Sequence, residues 1–223
     1  MTDEKRSPRR SFLTKLGALS GLALVSREAS AEVSQPGDSP HDRWLDGLKA
    51  PQRQLFDFNA HGDGIGLIHM HNFVETHKAA YGMTERDINV VGTLYGGTTP
   101  LAWNDAMWAK YQVGKALNLT DPATKAPLTR NWFNRPQSGD PVFFAGMLAA
   151  ASMESLTKRG ATFLMCNNAF RMWVGRLAGM GLGKPEEIEP DIRANLLPGI
   201  VTVPAMVIAV NRAQRKGFTY MRT

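Results

Sequence analysis

A chain of 223 residues with 26 Lys and Arg, 20 Asp and Glu and one cysteine is long enough for a single domain with a sizeable core, and it cannot close an internal disulfide. Six of the basic residues and three of the acids fall within positions 1–31, so the remainder stands near +3. With no Lys/Arg-rich run, that balance argues against a nucleic-acid partner.

In chain order, the first element is "SPRRSFLTKLGALSGLALVSREASA", with Arg9 and Arg10 before Ser11-Phe12-Leu13, a modest apolar run from Leu16 to Val25, and Ala29-Ser30-Ala31. This pattern reads as a twin-arginine export signal over 1–31 with a small-residue cleavage site, which implies a periplasmic protein. The apolar run is about half of the ~20 residues a membrane span needs, so no stable membrane insertion is expected after cleavage. Residues 32–52 are polar and rich in Pro, Gly, Ser and Asp apart from Trp44 and Leu45, and read as a linker. The domain is expected over 53–223.

From Arg53 onward short apolar runs alternate with helical patterns, the mark of an α/β fold with a mainly parallel sheet of about five strands. Strands are predicted at "QLFDFNA", "INVVGTLYGG", "TFLMC", "IVTVP" and "FTYMR". Helices are predicted through "GLIHMHNFVETHKAAYG", "PLAWNDAMWAKYQVGKAL", "PVFFAGMLAAASMESLTKR", "NAFRMWVGRLAGMG" and "AMVIAVNRAQRKG", with Asp140-Pro141 opening the third. Residues 118–140 contain prolines and no clear period; a loop of that length reads as an insertion near a site or interface.

Cys166 closes the strand "TFLMC" and precedes a helix beginning at Asn167 or Asn168. In open parallel sheets ligands bind at the carboxyl ends of strands, and a thiol at a helix N-terminus has its thiolate stabilised. Arg171, one turn into that helix, adds positive charge. The opposing reading is that free cysteine is among the most buried residue types and "FLMC" suits a sheet interior. "LYGGTTPLAWND" offers a pocket wall, because Gly96 and Gly97 admit close approach and Thr98 and Thr99 supply hydroxyls. Arg130 and Arg135 in the insertion are candidates for holding an anion.

Four of the five histidines lie at His61, His69, His71 and His77, but His69 and His71 diverge on a helix, and no metal site is expected there. The methionines are scattered without an M-x-x-M cluster, and no phosphate loop, dinucleotide fingerprint or C-x-x-C-H is present, so no cofactor is expected.

"RGATFLMCNNAFR" followed by "LLPGIVTVPAMVIAVNRAQRKGFTYMRT" resembles the DsrE/DsrF-like family of sulfur-relay proteins, whose pattern runs G-V-x-F-x-x-C-x-N-T and then L-L-P-G-V-x-x-V-P with a closing G-Y-x-Y-I. The resemblance implies a flavodoxin-like, three-layer α/β/α domain and assembly as a homo-oligomer, a trimer or a hexamer. It also implies a cysteine persulfide exchanged with a sulfur donor or acceptor protein. Cys166 and Asn168 fall on the family's Cys and Asn, whereas Ala169 stands where Thr is common. Two other readings remain: a non-catalytic small-ligand or partner-binding module with Cys166 buried, and a redox or metal accessory protein using the His61–His77 region.

Overall fold

In the computed structural model, residues 39–137, 140 and 147–223 are described; the segment read as an export signal, the first part of the expected linker and the helix start expected at Pro141 lie outside them. Five strands, β1 (Gln52–Phe58), β2 (Ile88–Leu94), β3 (Thr162–Cys166), β4 (Ile200–Val203) and β5 (Thr219–Arg222), form one all-parallel sheet in the order β4-β3-β2-β1-β5. The three central strands are almost wholly buried along their length, which is why they read as continuous apolar runs rather than alternating ones.

Helices cover both faces, giving a three-layer α/β flavodoxin-like architecture. One face packs Phe56, Phe58, Val90, Leu94, Phe163 and Met165 against α1 (Ile65–Tyr81), α6 (Asn167–Gly179) and α7 (Pro185–Ala194). The other packs Leu55, Val91, Leu164 and Val203 against α8 (Met206–Arg215). α1 stops where Gly82 takes φ 65°, the left-handed cap that glycine accepts without strain, and donates its N–H to His77 O.

The linker does not end where the sequence suggested. Pro40–Leu45 form a 3-10 strap, capped by Ser39, that places Leu45 in the α8-side core and sets Asp42 3.4 Å from Arg212 of α8. The domain therefore begins at least thirteen residues before Gln52, and two isolated apolar residues, Trp44 and Leu45, were its only sign.

Two expected helices are broken for local reasons. After β2, Gly96–Ala102 is a 3-10 segment; Asn104 then caps α2 (Asp105–Lys110) through its side chain, and Gln112, at φ 49°, starts α3 (Val113–Ala116) on a new axis. Further on, Ser152 is extended and accepts from Ser155 N–H at 3.2 Å, separating α4 (Met147–Ala151) from α5 (Met153–Lys158). α7 was missed in the sequence because only Ile188 and Ile192 mark its apolar side among charges.

The 118–140 insertion packs into the core. Leu119, Leu128, Trp132 and Phe133 are buried, and the Asn131 amide donates to Leu101 O at 2.8 Å and Trp103 O at 2.9 Å. These bonds fasten the insertion beneath the 3-10 segment.

Candidate functional site

Cys166 serves two roles in the backbone, last residue of β3 and N-cap of α6. Its Sγ accepts from Ala169 N–H at 3.5 Å, taking the place that a Ser or Asp oxygen fills in an ordinary cap. The same sulfur accepts from Met206 N–H at 3.4 Å, the first residue of α8, whose N-cap Ala205 offers no side-chain cap. Two helix N-termini thus end on one sulfur, each contributing a donor and the positive end of a dipole. The residue is only 6% exposed and sits in the apolar cluster with Leu45, Leu164 and Val203.

Around it the expected partners separate. Asn168 and Arg171 are exposed, in the first turn of α6 and at the start of its second. Asn167 is partly buried and accepts from Arg193 at 2.7 Å; Arg193 also bonds Glu189 at 2.8 Å and lies 4.4 Å over the Phe170 ring.

Thr98 and Thr99 do not line the hollow beside Ala169. Both are fully buried: Thr98 accepts from Tyr95 N–H at 3.0 Å and lies 2.8 Å from Tyr95 O, which closes the turn, and Thr99 Oγ1 has no partner among the described residues. The glycines behave as expected of a pocket wall. Gly96 and Gly97 line a hollow of about 240 Å³ with Ala169, Met172, Trp173 and Arg176. Trp173 Nε1 donates to Gly96 O at 2.6 Å, and Arg176 stacks 4.7 Å from the Trp173 ring centre. Since Ala169 also donates to the sulfur, this hollow adjoins Cys166.

Arg130 and Arg135 are each committed to a carboxylate of the chain. Arg130 pairs with Asp140, and Arg135 Nε bonds Glu154 at 2.9 Å. Neither lines the hollow beside Ala169; Arg135 lines a different one, of about 270 Å³, with Glu154, Thr157 and Pro198.

The histidines are spread over separate local contacts. His71 Nδ1 lies 3.2 Å from Arg159, which also pairs with Glu75 and Glu85, and burial together with the Arg159 charge lowers the His71 pKa. His77 Nδ1 contacts Phe73 O at 2.8 Å within α1. Among the described residues no three His, Cys, Asp or Glu side chains are grouped to hold a metal ion.

One polar cluster escaped the sequence reading. Asp57, near the carboxyl end of β1, is 7% exposed; it accepts from Thr93 Oγ1 at 2.9 Å, Tyr95 OH at 3.3 Å and Tyr220 OH at 2.6 Å. Its hydrogen bond, with burial second, pushes the Tyr220 phenol up to about 12, while burial, with Asp57 second, raises Tyr95. The acid in the apolar run "QLFDF" was the only visible signal, because its partners lie up to 163 residues away.

No family model matches the chain, and no curated protein matches it. Among solved structures, a protein of unknown function from Methanobacterium thermoautotrophicum is similar at 14% identity over 77% of this chain and 99% of that chain, with a TM-score of 0.40. A likeness of that size carries no functional information.

Proposed function

We propose that the protein is an exported, DsrE-like periplasmic module that takes up sulfane sulfur on Cys166. The observation that supports this reading most directly is the convergence of Ala169 N–H and Met206 N–H on one sulfur at the carboxyl end of a parallel strand. Donors already aimed at Sγ suit a sulfur anion, and Arg171 is exposed one turn along α6 to draw anionic donors to the rim.

With thiosulfate as donor, the Cys166 thiolate attacks the outer sulfur. A new S–S bond forms, the S–S bond of thiosulfate breaks, and sulfite leaves with the electron pair. An acceptor thiolate then attacks the terminal sulfur of the persulfide, and Cys166 departs as thiolate. With one cysteine in the chain, that acceptor belongs to another molecule, a small thiol or a partner protein. The resemblance to the family extends the proposal to a homo-oligomer.

Burial of Cys166 in the α8-side core favours a second reading, in which the thiol is packing and the hollow lined by Gly96, Gly97, Met172 and Arg176 binds a small ligand. Incubation of the folded protein with thiosulfate or polysulfide, followed by intact mass measurement, separates the two. A gain of one sulfur that is absent in Cys166→Ser is the result expected of a carrier; a thiol that reacts only after unfolding leaves the second reading.

A further inference from the structure

We propose that the carboxyl ends of β1, β2 and β5 form a binding site for a primary ammonium group, built on Asp57, Tyr95 and Tyr220. The inference is independent of Cys166 chemistry.

The strand order supplies the location. From β1 the chain advances through β2 and β3 to β4 in one direction, then returns through α8 to lay β5 on the far side of β1. The connection leaving β1, through α1, and the one entering β5, through α8, pack on opposite faces of the sheet. The carboxyl ends of β1 and β5 therefore lie side by side, and in open α/β sheets ligands bind at the carboxyl ends of strands. Asp57 lies there on β1, Tyr220 and Arg222 on β5, and Tyr95 just beyond β2.

The hydrogen bonds supply the chemistry. Asp57 is buried, yet its donors are three neutral hydroxyls, and among the described residues no Lys, Arg or His forms an ion pair with it. A buried carboxylate with neutral partners keeps its field at short range. Each phenol has one proton to give and gives it to Asp57, so what the two oxygens present outward is acceptor lone pairs backed by a negative charge. Tyr220 is 42% exposed, which opens the row to solvent. A primary ammonium carries three donors and no acceptor, and phenol rings attract cations, so it matches this set where a neutral or anionic ligand does not. Arg222, in register with Asp57 and exposed, is the chain's own positive charge beside the site and opposes an incoming cation.

A purely structural cluster that ties β5 to the sheet would share these distances but would not bind amines. The full chain is titrated with methylammonium chloride, with sodium chloride at equal ionic strength as control, following the backbone amide resonances of β1 and β5. The site requires saturable shifts centred on residues 57, 95 and 220, weakened about tenfold or more in Asp57→Asn, the loss of a hydrogen bond to a charge, and strengthened in Arg222→Gln. Shifts that sodium chloride reproduces, or an affinity unchanged in Asp57→Asn, overturn it. Should Asp57→Asn fail to fold, Tyr220→Phe decides: weakened binding supports the site, and binding equal to wild type refutes it.

Discussion

Asp57 marks the two phenols that donate to it, and the mark can be read by titration. Tyr220 has a folded pKa of about 12, above the ordinary phenol value of 10.0, because its proton is held by the carboxylate. A raised folded pKa means the contribution to stability is complete below pH ~10 and is lost as pH climbs through about 12. Tyr95 and Tyr111 are raised as well, so phenolate absorbance should show three late-ionising tyrosines in the wild type and two in Tyr220→Phe; an equal late amplitude in both would contradict the hydrogen bond. At this scale the sequence disclosed half of each site. Cys166 stood out as the lone cysteine at the end of "TFLMC", but its second donor, Met206 N–H, is 40 residues away and a backbone group that no motif announces. Arg130 and Arg135 looked available because the carboxylates that occupy them, Asp140 and Glu154, are partners chosen by the fold.

Among the elements, those with a clean period and clear stops were legible. β3 runs over the residues read as "TFLMC", and α1 ends at the glycine expected to end it. Elements broken by a single side chain were not: the Ser152 cap splits one predicted helix, and left-handed Gln112 redirects another. The 118–140 insertion was unreadable as core because its buried residues follow no period; its order comes from fitting against α3. Gly114 of that helix is where the fit is tightest, since a Cβ there would lie 2.1 Å from the backbone oxygen of Leu128. Backbone cannot yield as a side chain tip can, so Gly114→Ala is expected to destabilise the domain by about 3 kcal/mol. Denaturant unfolding measures this, and a midpoint within error of wild type would show that the insertion does not rest on α3 as described.

For the whole molecule, alternation of strand and helix was enough to give a parallel three-layer fold, whereas the return of β5 beside β1 rests on contacts between the two ends of the domain. That return brings Tyr220 to Asp57, which explains why the cysteine was found from sequence and the carboxylate cluster was not. The surface also carries apolar side chains in the second turn of α6 and the first turn of α8, with Met172 76%, Val207 77% and Ile208 54% exposed. Side chains of this size are suited to burial in a contact between subunits. Light scattering of the folded protein is expected to give a multiple of the monomer mass, a trimer or hexamer, and a monomer mass at micromolar concentration would count against assembly through these side chains.

The measurement that bears most directly on sulfur uptake is the intact mass of the folded protein before and after thiosulfate, with Cys166→Ser alongside. A gain of one sulfur, removed by a reducing thiol and absent from the variant, is the expected result. No mass gain, together with a thiol that alkylates only after unfolding, would make Cys166 a buried helix cap and contradict the account.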